Sequence, residues 1–268
     1  MSSMFDLTGR VSLVSGAASG MGKAVAMAVA EAGSDVVLAD INEAGAEATA
    51  QEIAALGRRA LPVVCDISSP DAIRAMFAKI DETFGQIDFV ANIAGEAVRK
   101  KPEVIELEEV EWTWRNIVYG RFCICQEAGR RMLKQGRGSI INLGSLASIT
   151  ALGRGHIAYS MAMGAVVQMT RELSTEWSGR GVRVNSVLPA QVLNPGLQER
   201  IDADPRIKDR FLSGIPTGRF GSSDDIKGLA VFLASDASSW ITGTLIPMDG
   251  GNLAMNAGGS VGTEVFAE

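Results

Sequence analysis

The chain has 268 residues, 47% of them hydrophobic and 21% charged, with a formal net charge of −6. It is long enough to bury a substantial core, and too apolar for its charge to remain disordered. The acidic balance, without a long basic run, argues against nucleic acid as a ligand, and no apolar run approaches the roughly 20 residues of a membrane span.

Residues 1–6 lack the basic and apolar stretches of a secretory signal, and Cys65, Cys123 and Cys125 are too few and too odd for a disulfide framework. A reduced, cytoplasmic protein is the expectation. Cys123 and Cys125 are two apart in a predicted helix and do not share a face. With His156 the single histidine, no zinc-type ligand set assembles, so no metal is expected.

Short apolar runs alternate with Ala-rich helical stretches at intervals of roughly 25 residues, the rhythm of a βαβ chain. Strands are predicted at 10–15, 35–40, 60–65, 87–92, 138–142, 182–187 and 244–248. They are continuously apolar rather than alternating, as strands covered on both faces are. Helices are predicted at 20–32, 43–56, 71–84, 104–134, 157–178 and 224–234. Ser69-Pro70-Asp71 is a helix opening, and Gly33, Gly57 and Gly85 sit where helices should stop. No Pro/Ser-rich linker divides the chain. The expectation is one α/β domain over 1–268, a Rossmann-type three-layer sandwich on a seven-stranded parallel sheet. The long connection 190–223 is expected to form a substrate lid, and 252–268 a C-terminal tail.

The first strand runs through Ser15-Gly16-Ala17-Ala18-Ser19-Gly20-Met21-Gly22 into a helix. Glycines there let the backbone turn tightly and approach a pyrophosphate seated on the helix N-terminus. Asp40 closes the second strand about 20 residues on, where a carboxylate accepts the adenosine ribose hydroxyls and repels a 2′-phosphate. No basic residue follows it, and Ser19 stands inside the turn, so NAD(H) is expected over its phosphorylated form. The plainer reading of Asp40 is a strand-end cap.

These residues, with Cys65-Asp66, Asn92-Ile93-Ala94-Gly95, Ser145, Tyr159 and Met248-Asp249-Gly250-Gly251, resemble a classical short-chain dehydrogenase/reductase from Leu7 to Gly251. The resemblance implies that Gly16, Ser19, Gly20, Met21 and Gly22 meet the pyrophosphate and that Asp40 and Ile41 flank the adenosine ribose. It implies that Asp66 and Ile67 face the adenine. Asn92, Ala94, Gly95, Tyr159, Pro189 and Val192 would complete the cofactor pocket. It further implies a small carbonyl or alcohol substrate and a homotetramer or homodimer built on helices 104–134 and 157–178. The second of these is apolar on more than one face (Ile157, Met161, Val166, Val167, Met169).

The active-site pattern departs from the family. Its usual Tyr-(x)3-Lys reads Tyr159-Ser160-Met161-Ala162-Met163 here, and the family's asparagine falls on Ile117, with Asn116 one residue early. One residue rotates a helical side chain by about 100°, so a local bulge would be needed to bring Asn116 in. Pro189-Ala190 replaces Pro-Gly, and Asn194 stands where a Thr often meets the carboxamide. A free tyrosine ionises near pH 10, and losing the lysine's charge would cost phenolate formation on the order of 4 kcal/mol. His156, three before Tyr159, is either a substitute proton relay or a helix cap. Arg154 is either an anion binder or a loop charge. Trp112 and Trp114 read as packing residues. The expected function is an NAD(H)-dependent interconversion of a secondary alcohol and a carbonyl, with Ser145, Tyr159, Asn116 and His156 as candidate catalytic residues. Met163→Lys is expected to raise activity. The alternative is a silent subunit that binds cofactor or an active paralogue in a hetero-oligomer.

Overall fold

A computed structural model of the chain describes residues 3–255, so the predicted tail lies outside the described residues from 256 onward. The strands are β1 (Val11–Ser15), β2 (Asp35–Asp40), β3 (Ala60–Val64), β4 (Phe89–Asn92), β5 (Gly138–Leu143), β6 (Val182–Pro189) and β7 (Leu245–Met248). They form one sheet in the order β3-β2-β1-β4-β5-β6-β7, every neighbouring pair parallel. This is the Rossmann-type single-domain sandwich that the apolar runs imply. β1 and β4 are buried along their whole length. β1 pairs with both β2 and β4, so the strand order reverses there and opens a crevice at the carboxyl ends of β1 and β4.

The helices in chain order are α1 (Gly20–Glu31), α2 (Glu43–Ala55), α3 (Pro70–Thr83), α4 (Leu107–Trp114) and α5 (Gly120–Gln135). They continue with α6 (Ile157–Trp177), α7 (Pro195–Ala203), α8 (Arg206–Leu212) and α9 (Lys227–Ala234). Val25, Val29 and Leu233 pack with Val14 and Leu38 on one face of the sheet, and Phe77, Ile124 and Met132 with Leu13, Val37 and Val90 on the other. Local chemistry sets the starts. Asn42 caps α2 by accepting from Gly45 N, Ser69 caps α3 ahead of Pro70, and Asn194 caps α7 ahead of Pro195.

Most predicted bounds shift by one to three residues, and one predicted helix is interrupted. β1 begins at Val11 because Arg10 N–H donates back to Leu7 O at 3.0 Å, in the turn before the strand. The connection at 190–223 carries α7 and α8, two helices beyond those predicted. The continuous helix expected over 104–134 starts at Leu107 and is interrupted by a π-turn at Arg115–Tyr119, which inserts one residue and rotates everything after it. Gly120 follows at the crossing with the loop beyond β3, where a Cβ would lie 2.1 Å from Ile67 O, so only glycine lets the helix continue. No helix of the described residues is long and apolar enough to cross a membrane.

Candidate active site

The crevice opens on two sides of the loop that follows β4. On one side a groove of about 380 Å3 is lined by Gly16, Asp40, Ile41, Asp66, Ile67, Ala94, Gly95, Trp112 and Asn116. Its floor is tightly built. Gly16 has φ +74°, and a Cβ on Gly22 would stand 1.9 Å from Gly16 O. Ser15 Oγ accepts from Ile93 N at 3.0 Å and Ala94 N at 3.2 Å, locking the ends of β1 and β4 together. Ser19, the N-cap of α1, makes no side-chain capping bond, and the first turn carries no acid, so its N–H groups suit an anion. The Asp40 carboxylate accepts from Ala18 N and Asn42 N, both at 2.9 Å, which uses two of its lone pairs and leaves others for a ligand. The strand-end capping role of Asp40 is therefore met, with lone pairs to spare. These residues fit a dinucleotide with its pyrophosphate on α1.

Asn92 sits behind the groove, supporting the end of β4, rather than in its lining. It is fully buried, its Nδ2 donating to Asn142 Oδ1 at 2.9 Å and Cys125 Sγ at 3.3 Å, so it ties β4 to β5 and α5. Trp112 is 42% exposed and lines the groove rather than packing inside.

On the other side of the loop lies a cavity of about 460 Å3 that brings together Ser145, Tyr159, His156, Pro189 and Val192 with Arg99, Arg154, Arg200 and Phe211. Ser145 Oγ accepts from Ala147 N at 3.2 Å, which leaves its own hydrogen free to donate. Tyr159 is half-buried on the first turn of α6, with His156 edge-on to it at 6.1 Å between ring centroids. His156 Nδ1 lies 2.9 Å from Gly153 O, and burial pulls its pKa below the usual histidine value, so it is neutral at pH 7. Asn116 does not join this group. The π-turn carries it toward the groove, its Nδ2 donating to Trp112 O at 3.0 Å, while Ile117 packs with Met163, Val166 and Tyr159. A larger hollow of about 630 Å3, lined by Arg10, Asp88, Arg137 and Trp240, sits at the amino-terminal edge of the sheet, away from the crevice.

A residue absent from the sequence expectations lies against Met163, which packs with Tyr159. Arg121 is 1% exposed; its guanidinium donates to Ile93 O at 3.2 Å, to Ala94 O at 3.1 and 3.3 Å and to Leu143 O, and touches Met163 Sδ at 3.9 Å. Its spacing was the available signal: Ile117, Arg121, Cys125 and Ala128 form one buried helical stripe, on which a cation is out of place.

The family model described as enoyl-(acyl carrier protein) reductase matches residues 16–252. Curated relatives include the D-threitol dehydrogenase of Mycolicibacterium smegmatis, 39% identical over 92% of this chain and 94% of its own. The chain belongs to the short-chain dehydrogenase/reductase family. The NAD-dependent glycerol dehydrogenase of Listeria innocua is 37% identical over 92% of this chain and 95% of its own. Among solved structures, a gluconate 5-dehydrogenase from Burkholderia cenocepacia in complex with NADP and tartrate superposes with a TM-score of 0.89. It is 30% identical, covering 94% of this chain and 98% of that one. As a member of this family of dehydrogenases and reductases, the protein is an oxidoreductase acting on CH–OH or carbonyl groups.

Proposed function

We propose that the protein interconverts a secondary alcohol and a carbonyl with NAD(H), on a substrate that carries a negative charge. The observation that carries the reading is the juxtaposition of Ser145 and Tyr159 in one cavity, one loop away from the dinucleotide groove. When bound, the nicotinamide supplies the hydride acceptor in oxidation and the donor in reduction. Tyr159 Oη holds or receives the substrate's hydroxyl proton, and the free hydrogen of Ser145 Oγ orients the substrate oxygen. His156, neutral and bonded to Gly153 O, positions the Tyr159 ring rather than carrying the proton. Met163 stands where the family places its lysine.

Asp40 supports NAD(H), because its charge opposes a 2′-phosphate in a groove with no basic residue in its lining. The solved gluconate 5-dehydrogenase holds NADP, so the preference is testable. NADH is expected to bind about tenfold or more tightly than NADPH, and Asp40→Ser to narrow the gap. Equal affinities in the unaltered protein would contradict this assignment.

The charge preference rests on the cavity lining. Arg99, Arg154 and Arg200 line it with no acidic residue, and none forms an ion pair among the described residues. Arg154 has φ +61° between two left-handed glycines, a strained placement for a side chain, and its guanidinium lies 4.8 Å over the Phe211 ring. Such a guanidinium suits a carboxylate, and the acid named with the Burkholderia relative fits that chemistry. With D-gluconate as probe, Arg154→Ala is expected to raise KM about tenfold with little change in kcat, and to leave oxidation of the uncharged D-threitol alone. Equal losses on both probes would remove the anion-binding role.

Exposed Trp112, Tyr119, Phe122, Ile157 and Met161, along α4 to α6, support self-association as a dimer or tetramer through these helices. Three free, buried cysteines suit a reducing, cytoplasmic setting.

A further inference from the structure

A buried cation is expensive unless something compensates for it. Arg121 is enclosed, yet no carboxylate stands within ion-pair distance among the described residues; its acceptors are the backbone carbonyls of Ile93, Ala94 and Leu143. Those carbonyls end β4 and β5, at the carboxyl edge where the crevice opens. Met163, one helical turn after Tyr159, closes over the guanidinium with its sulfur. A lysine at 163 would bring its ammonium to this same place.

We propose that Arg121, reaching up from α5, supplies the positive charge near Tyr159 that the family otherwise takes from the lysine on α6. The charge has been moved between helices rather than lost. This rests on the reading of Tyr159 as the proton-transfer group, and Arg121 acts through it as a positioning residue.

The surroundings support the assignment. Burial draws Arg121 down to about 10, with the nearby Tyr159 opposing that shift, so it remains charged at neutral pH. Of the other titratable groups facing the pair, none is a fully buried cation. Cys125, below on α5, is pushed up to about 12 by burial and is a neutral thiol. His156, edge-on to the phenol, is neutral at pH 7. Arg99 and Arg154 are exposed and Arg200 is half-buried in the lining of the cavity, open to water that screens them. The π-turn explains the reach: its extra residue, followed by Gly120 against Ile67 O, rotates position 121 inward under the loop after β4. The expectation that Met163→Lys raises activity therefore reverses, since the ammonium would pack against a guanidinium.

The chain has two tyrosines, so Tyr119→Phe leaves Tyr159 as the only one. In that background, the ultraviolet absorbance of the phenolate is followed against pH. Arg121→Met, and Arg121→Gln, which keeps an amide to bond the carbonyls, are expected to move phenolate appearance to higher pH. Arg121→Met combined with Met163→Lys is expected to move it back. An unchanged titration in folded Arg121→Met or Arg121→Gln protein overturns the proposal, leaving Arg121 a structural latch. Should neither variant fold, Met163→Lys alone decides, with NADH as probe. Binding weakened about tenfold and a lowered thermal midpoint are expected from two cations in contact; tighter binding would mean the site lacked a cation and would overturn the proposal. Failure of the underlying reading is seen separately, as activity that survives Tyr159→Phe.

Discussion

Tyr159→Phe is expected to lower NAD+-coupled alcohol oxidation by a factor on the order of a thousand, while NADH still binds and the protein still folds. The change removes one hydroxyl from a half-buried ring that keeps its contacts with Ile117 and Met163, so the fold has little to lose. What disappears is the only phenol in the cavity shared with Ser145. His156 lies close enough to raise the question of substitution, but its Nδ1 is engaged by Gly153 O and its pKa is lowered by burial. A residual rate within about tenfold of the unaltered enzyme would shift the proton transfer to His156. The measurement is steady-state turnover with D-gluconate and D-threitol, alongside NADH titration of the same preparation.

Gly22→Ala is expected to have the other large effect, on cofactor binding and stability together. A Cβ at position 22 would lie 1.9 Å from Gly16 O and 2.5 Å from Gly16 C, both backbone atoms that cannot swing aside. Relief requires α1 to move away from the turn after β1, which separates the first-turn N–H groups from the place where the turn presents them. The expected result is loss of saturable NADH binding and a stability lower by about 1–3 kcal/mol. Chemical denaturation gives the second figure. Retained affinity would show that the glycine turn does not set the approach of the dinucleotide.

The fold was largely legible because its strands announce themselves. The apolar runs ending at Ser15, Asp40 and Asn92 are continuous, as strands under two helical layers must be, and each stops at a polar residue on the carboxyl edge. The groove residues follow from the same logic, since Gly16, Asp40 and Asp66 are strand-end positions brought together by the order of the sheet. The catalytic helix was less legible. Whether residue 116 or 117 faces Tyr159 turns on one inserted residue, and a π-turn depends on what the helix packs against, here Ile67 O at Gly120. Arg121 was hidden for a related reason: an arginine in a helical stretch reads as a solvated face until its neighbours on the stripe are known to be buried. The strain at Arg154 was likewise invisible, although Gly153 and Gly155 on either side of it marked a left-handed stretch.

The most direct measurement is a titration of the purified protein with NADH and, separately, NADPH, followed by quenching of its four tryptophans, of which Trp112 lines the groove. Saturable quenching by micromolar NADH, with NADPH weaker, is the result the proposed function requires. No saturation by either dinucleotide at millimolar concentration would contradict it, and would leave the glycine turn, Asp40 and the Ser145–Tyr159 pair as architecture without a working site.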